Sequence, residues 1–487
     1  MSAAFSKMED KLPVMATGEV IWEMSGRSKD KKMNRREFLK ASGSSLCALS
    51  ASNALAGVDS LPNILFIMTD QQIADGMSCA GNPYLKTPGM DRIAENGVIF
   101  RQAYVTQPLC QPCRTSIQTG RYPHETGVVT NKVDVKKSFP TLGRTLADAG
   151  YDCGYFGKWH VGISSKETAI HGYSPMDGAE DAHLPHKAAE FLKKKRSNPF
   201  FLTVSFVNPH NVCQLARREE LPDGPIPPTP QADECPPLPD NFHICPDEPP
   251  IIRQVQEMNR DYHYPTAKWS DGEWRQYLWG YYRLIEKVDA LILEVLDALR
   301  DAGNEENTLI LFTSDHGEGV AAHHWNQKQI LYDETVRVPF IMARKGVTKA
   351  GVVDSEHLVS TGLDIFPTFL DCAGLPIPEE LPGRSLCALA LGEMPTEWRD
   401  HVIAETGFAR GTNHTGVTGR MVRTKRYKYV IYNKGENREQ LFDLKKDPGE
   451  KKNLAKSQVH AAVLREHRAR LSAWSKATDD DFPITKP

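Results

Sequence analysis

The chain reads as an α/β protein: a large, mostly parallel central sheet flanked by helices, with a small C-terminal α+β subdomain. Three observations predict it. Continuous apolar runs, the mark of strands buried on both faces, recur along the first two thirds of the chain. Helical patterns lie between them. From about Trp398 the texture changes to short alternating strands and one last helix.

Asn63 to Thr69 is the first apolar run and ends in Asp70. Similar runs stand at Tyr151 to Phe156, Pro199 to Val207, Thr308 to Thr313 and Pro339 to Ala343. Helical patterns occupy Pro88 to Glu95, Leu142 to Ala149 and Lys187 to Lys195. The longest spans about Gly272 to Ala302, where Leu278, Tyr282, Ile285, Val288, Ile292, Val295 and Leu299 keep the spacing of one buried face. Sheets of this kind collect their chemistry at the carboxyl ends of strands, where Asp70 and Asp315 fall. Residues 211–270 are rich in proline and polar residues, and read either as a lid over the site or as a surface insertion. Val402 to Ala404, Arg420 to Arg423 and Tyr427 to Tyr432 suit antiparallel strands, followed by a helix near Gln458 to Thr478.

The hydrophobic fraction of 40% and charged fraction of 25% are those of an ordinary globular protein. After residue 56 the chain carries 50 basic and 56 acidic residues. That mildly acidic balance argues against nucleic acid as a partner. Lys193 to Arg196 reads as a solvated helix end. Residues 1–56 are set aside from the fold. Arg35-Arg36 precedes a weakly apolar stretch, Ala41 to Ala56, closing in Ala54-Leu55-Ala56. It resembles a twin-arginine signal peptide, which implies a periplasmic or extracellular protein. Its 16 residues fall short of a membrane span, and no other stretch is long and apolar enough for one. Met33 offers a later start, and Cys47 lacks a lipobox. Residues 57–397 are then the main α/β domain and 398–487 the C-terminal α+β subdomain. Ten cysteines show no small-domain disulfide framework, although Cys235 and Cys245 share a proline-rich loop.

The chemistry-bearing segment is Leu109-Cys110-Gln111-Pro112-Cys113-Arg114-Thr115-Ser116-Ile117-Gln118-Thr119-Gly120-Arg121. Cys110-Gln111-Pro112-Cys113 invites a redox dithiol or half a zinc site. The second cysteine pair or matched histidines of a zinc site are missing, and a redox motif belongs to a smaller domain.

The same segment resembles the type I sulfatase signature, C-x-P-x-R followed by Thr-Gly. Cys110, Pro112, Arg114, Thr119 and Gly120 occupy its defining positions. The resemblance runs over nearly all of residues 61–455. It includes Lys86 to Ala94, Gly157-Lys158-Trp159-His160, Ser314-Asp315-His316-Gly317-Glu318, Lys328, Arg337-Val338-Pro339 and Leu441 to Leu454 in family order. It implies an alkaline-phosphatase-like fold and a sulfuric ester hydrolase. It also implies that a maturation enzyme oxidises Cys110 to formylglycine on the unfolded chain. The hydrated aldehyde is a gem-diol: one hydroxyl attacks sulfur and displaces the alcohol, and the other loses its proton and ejects sulfate. Cys113 stands at a variable position and receives no role.

By the same resemblance Asp70, Gln71, Cys110, Asp315 and His316 hold a divalent cation, calcium, with magnesium or manganese as alternatives. Gln71 and His316 stand where the family often has a second Asp and an Asn. Gln71 still offers a carbonyl oxygen, and His316 offers nitrogen, which suits manganese or zinc better than calcium. Arg114 and Lys158 resemble the residues that steady the nucleophile and the sulfate, and Arg114 can offer its fork of donors to the diol. His160 resembles the base. His210 and Lys328 resemble the pair that binds sulfate and protonates the leaving oxygen. His323 joins Lys158, His210 and Lys328 as a substrate contact.

Two other readings remain open here. A phosphate or phosphonate ester hydrolase of the same superfamily uses the same cation and nucleophile. An exported glycan-binding protein on a decayed enzyme scaffold would lack some of the catalytic set, and this chain retains it. The implied substrate is a sulfated carbohydrate, with small aryl sulfates or choline sulfate as alternatives.

Overall fold

Ile64-Leu65-Phe66-Ile67-Met68 offers no polar side chain, so a strand made of it must be covered on both faces. In the computed structural model this is the central strand, and its side chains alternate between two apolar layers. Ile64, Phe66 and Met68 enter one core with Phe201, Cys113, Ile117 and Phe369. Leu65 and Ile67 enter the other with Leu202, Val204, Val288 and Ile292. The structure describes residues 61–410 and 413–484. The twin-arginine stretch, Cys47 and the Ala54-Leu55-Ala56 site lie outside the described residues.

The strands in chain order are β1 (Asn63–Asp70), β2 (Gly97–Phe100), β3 (Ala103–Tyr104), β4 (Asp152–Gly157), β5 (Met176–Asp177), β6 (Phe200–Pro209) and β7 (Thr308–Ser314). They continue as β8 (Phe340–Ala343), β9 (Val352–Asp354), β10 (Val359–Ser360), β11 (His401–Arg410), β12 (Asn413–Thr424), β13 (Tyr427–Tyr432) and β14 (Glu439–Asp443). Eight form one sheet in the order β5-β4-β6-β1-β7-β8-β2-β9. The pairs from β5 to β7 are parallel, and β8 runs antiparallel to both β7 and β2. This is the expected α/β architecture, with one reversed strand that the apolar run at Pro339 to Ala343 does not reveal.

Helices cover both faces. The helix Asp271–Asp301 opens on a capping box, Ser270 with Glu273, and buries Leu278, Ile285, Val288, Ile292, Val295 and Leu299. On the opposite face lie Cys110–Thr119 and Thr361–Cys372. Pro88–Glu95 matches the expected bounds, while Leu184–Leu192 starts three residues earlier than Lys187. Lys193, Lys194 and Lys195 are exposed beyond that helix, as a solvated end should be.

β11 to β14 form an antiparallel sheet backed by the helix Ala461–Thr478. Their shared core reaches into the larger part of the chain through Tyr122 and Leu363. Residues 211–270 contain two α-helices, Val212–Arg217 and Pro250–Met258, and a 3-10 turn at Ala232–Glu234. Their segment docks on residues 323–334: Asn241 Nδ2 donates to Glu334 (2.8 Å), and Arg253 Nη2 to the His323 carbonyl (2.7 Å). The described cysteines, Cys235 and Cys245 among them, are all free thiols. Among the described residues no helix is long and apolar enough to cross a membrane.

Gly157 ends β4 with φ +96°, and a Cβ there would stand 2.0 Å from the Ser205 carbonyl oxygen of the neighbouring strand. The turn that sends the chain into Lys158 therefore excludes any side chain. Gly157→Ala is expected to destabilise the fold by about 3 kcal/mol, from strain and a backbone clash together. Urea unfolding against wild type measures it.

Candidate active site

The sheet order brings four chain-distant residues to one edge. β4, β6, β1 and β7 lie side by side, and their carboxyl ends lead into Lys158, His210, Asp70 and Asp315. Register fixes the neighbours: Gly157 pairs with Ser205, Asp70 with Pro209, and Thr69 with Ser314. The arrangement follows from ordinary parallel pairing.

Cys110 arrives from the other direction, as the first residue of the helix Cys110–Thr119. Pro112 sits in its first turn, where a missing N–H costs nothing. Gly120 closes the helix at φ +65° and donates its N–H to Ser116 O (2.7 Å). All ten helical residues are buried. These local rules account for the spacing of Cys110, Pro112, Thr119 and Gly120.

Arg114, one turn on, is 1% exposed and holds the two acids. Its Nε donates to Asp315 (2.6 Å) and its Nη2 to Asp70 (3.1 Å). Nη1 donates to the Lys158 carbonyl and to Ser205 Oγ, both at 2.8 Å. Nε, Nη1 and Nη2 of Arg114 are thus engaged by carboxylates and the β4–β6 edge, so Arg114 orders the acids beside position 110.

Around Cys110 Sγ stand His316 Nε2 at 3.1 Å, Lys328 Nζ at 3.1 Å, Asp70 Oδ1 at 3.7 Å and Lys158 Nζ at 4.0 Å. His160 and His210 also lie close enough to interact with this sulfur. Lys158 pairs with Asp70 at 2.5 Å. Burial alone would raise the thiol, but Lys158, Lys328, His316 and His160 together hold it well below its ordinary range. The helix N-terminus favours negative charge at the same atom. Position 110 is thus built to carry an anionic or strongly polarised group.

The acids differ. Asp70 is held low: Lys158, His210 and Arg114 outweigh its burial and the Cys110 charge. Burial and Asp70 push Asp315 up against the pull of Arg114. Burial, with Lys328 and Lys158 nearby, takes His210 down to about 4, so its imidazole is neutral at pH 7. Lys328 is buried yet pushed up by Cys110 and Asp70, and so keeps its proton. Gln71 and His160 have φ of +70° and +44°, a strained backbone that the surrounding bonds maintain.

Donor atoms of Asp70, Cys110, Asp315 and His316 all lie within 4.8 Å of one another. Gln71 turns Oε1 toward Lys328 Nζ (2.8 Å). Two buried carboxylates and an amide oxygen suit a hard divalent cation, and the imidazole nitrogen of His316 inclines the set toward manganese. Lys158, His160 and His210 are partly exposed, whereas Asp70, Arg114, Asp315 and His316 are buried. The first three form the mouth.

The fold therefore gathers Asp70, Gln71, Cys110, Arg114, Lys158, His160, His210, Asp315, His316 and Lys328. It does not bring His323 to them. That ring stacks on Tyr332 with centroids 3.8 Å apart, and its Nε2 lies 3.4 Å from Asn241 Nδ2. Burial, Arg253 and Lys428 take it down to about 3. It packs the 323–334 segment under the 211–270 loop, so the expected substrate contact is dropped. Cys113 faces the core at 0% exposure, its thiol pushed up by burial and Asp315, which opposes a redox dithiol. Two participants carried no recognised signal. Ser205 looks like any small strand residue. Glu318, inside the Ser314 to Glu318 motif, had no role but bonds Gln71 at 2.5 Å.

The chain is similar to known proteins along most of its length. The family model described as Sulfatase matches residues 62–375, and one described as N-sulphoglucosamine sulphohydrolase, C-terminal, matches residues 321–477. A Delta 4,5-hexuronate-2-O-sulfatase of Bacteroides thetaiotaomicron is 33% identical over 459 residues, covering 90% of this chain and 94% of its own. The solved structure of a 2-O GAG sulfatase superposes with a TM-score of 0.77 at 30% identity, covering 88% of this chain and 94% of that one. A phosphonate monoester hydrolase of Agrobacterium radiobacter shares the fold, with a TM-score of 0.70 at 24% identity and coverage of 86% and 96%. With well over half of its length matched by the family model and a chain-long relative above 30% identity, this protein belongs to the sulfatase family and is a sulfatase of the alkaline phosphatase superfamily.

Proposed function

We propose that this sulfatase hydrolyses a sulfate ester on an anionic sugar, with a 2-O-sulfated uronic acid from a glycosaminoglycan as the first candidate. The single observation that carries the chemistry is the buried Cys110 at a helix N-terminus, within reach of Lys158, Lys328, His316 and Asp70. The chain-long similarity to a hexuronate-2-O-sulfatase and to a 2-O GAG sulfatase supports the substrate class. An exported location, proposed on Arg35-Arg36 and Ala54-Leu55-Ala56, would put the enzyme where sulfated polysaccharides are met.

In this reading Cys110 is oxidised to formylglycine by a maturation enzyme before folding buries it. Asp70, Gln71, Asp315 and His316 would hold a calcium, magnesium or manganese ion, which supplies positive charge beside the sulfuryl oxygens. Arg114 keeps the two aspartates in place and so orients that site. Lys158 and Lys328 flank position 110 and neutralise charge as the sulfur–oxygen bond breaks. Lys328 carries a proton within 3.1 Å of the reacting position, so it is the better placed donor to the leaving oxygen. His210, neutral in this state, hydrogen-bonds the bound group. His160 faces position 110 with one nitrogen, while its Nδ1 is buried without a partner. It can take the proton whose loss releases sulfate.

The phosphonate hydrolase neighbour supports the shared fold alone, and no feature of this site favours that substrate over sulfate.

Mass spectrometry of protein co-produced with a maturation enzyme should find the Cys110 peptide about 18 Da lighter than the thiol form. An unmodified thiol in active enzyme would overturn the mechanism. Lys328→Ala should lower kcat/KM on a 2-O-sulfated uronide about 100–1000-fold with the fold intact, read by steady-state kinetics. Cys113→Ala should retain most activity, and its loss would revive the dithiol reading. A panel of sulfated disaccharides decides the sugar and the position, and turnover of 6-O-sulfates alone would remove the uronate assignment.

A further inference from the structure

We propose that Glu318 is a positioning residue that fixes which end of the Gln71 amide faces the catalytic centre. The proposal rests on the cation reading above and extends it to a residue behind the site.

Gln71 stands where an acid would bring negative charge of its own. An amide has two unlike ends, and only its oxygen can face a cation or an ammonium group. Its Nε2 lies 2.5 Å from Glu318 Oε2, and its Oε1 lies 2.8 Å from Lys328 Nζ. Rotating the amide by half a turn would set its oxygen against a carboxylate and its NH2 against an ammonium. Both contacts would become repulsive, so the two charged partners together specify one orientation.

Glu318 is itself held. It is 0% exposed. Its Oε1 accepts from Tyr277 OH (2.7 Å) and from the Gln327 backbone N–H (2.6 Å). Every one of these contacts, Gln71 Nε2 included, is a donor, so Glu318 is an acceptor throughout. Tyr281, one turn beyond Tyr277 on the helix Asp271–Asp301, donates its OH to the Gln71 carbonyl (2.8 Å). The Gln71 N–H donates to Asp315 Oδ1 (3.2 Å). One helix thus fixes the Gln71 backbone directly and its side chain through Glu318. The negative charge that position 71 lacks is restored one hydrogen bond behind it, where it aligns a neutral ligand. Such outer partners commonly set metal affinity.

The test is calcium titration by calorimetry on chelator-treated full-length protein, with the cation-free unfolding midpoint recorded for each variant. Glu318→Gln removes the charge that orders the amide and should weaken calcium binding about 10–100-fold at an unchanged midpoint. Glu318→Asp keeps the charge but withdraws it by one methylene, and should weaken binding to a lesser degree. It carries the test if Glu318→Gln does not fold. The exchange Gln71→Glu with Glu318→Gln puts the carboxylate in front and the amide behind, and should return affinity to about the wild-type value. Wild-type affinity in both single variants, or an exchange no tighter than Glu318→Gln, would overturn the role of Glu318 alone. A wild type that binds neither calcium, magnesium nor manganese would overturn the cation reading, and this inference with it.

Discussion

The buried guanidinium of Arg114 between Asp70 and Asp315 is the constraint on which the rest of the site depends. Two carboxylates at the ends of adjacent strands repel one another, and neither has water to relieve it. Arg114 reaches both from the motif helix, and its remaining nitrogen ties to the β4–β6 edge. Removing one member of such a buried set leaves uncompensated charge, which costs about 3–5 kcal/mol. Fold and site therefore share this interaction: the helix that presents Cys110 is docked by the residue that organises the acids.

Around that bond the charges are layered. Acids lie deepest, cations and imidazoles surround position 110, and Lys158, His160 and His210 meet solvent. A sulfate ester approaching this mouth meets positive charge first, and the acids act on it only through what they hold. The neutral state of His210 fits the layering, because a third cation beside Lys158 and Lys328 would be costly without an anion between them. Fold alone does not choose between phosphoryl and sulfuryl esters, and a phosphonate hydrolase shares this one.

Most of the sheet was legible because its strands are apolar on both sides: β1, β6 and β7 begin within one residue of their expected starts. The reversed direction of β8 was not, since an apolar run looks the same read either way. The helix Thr361–Cys372 escaped notice because Pro367 stands inside it and proline reads as a breaker. In the site, residues to which the motifs give a chemical role were found, and Ser205 and Glu318, which act behind them on Arg114 and Gln71, were not. Arg114 was recognised, but its bonds to Asp70 and Asp315 were not, because a motif names a residue without saying where its side chain points. His323 failed for the opposite reason. It lies five residues before Lys328, but the chain between them passes through left-handed residues at His323, His324 and Gln327, and sequence proximity stops implying spatial proximity.

The last helix has a bearing on handling the protein. Trp474 packs edge-on against Tyr122 with ring centroids 5.1 Å apart, and the Thr478 carbonyl lies 3.0 Å from His124 Nε2. Tyr122 and His124 follow the motif helix by only a few residues. Proteolytic trimming that takes away Ala461–Thr478 would thus strip a wall from the segment just behind the nucleophile, and a shortened chain would not be a smaller enzyme with its catalytic half intact.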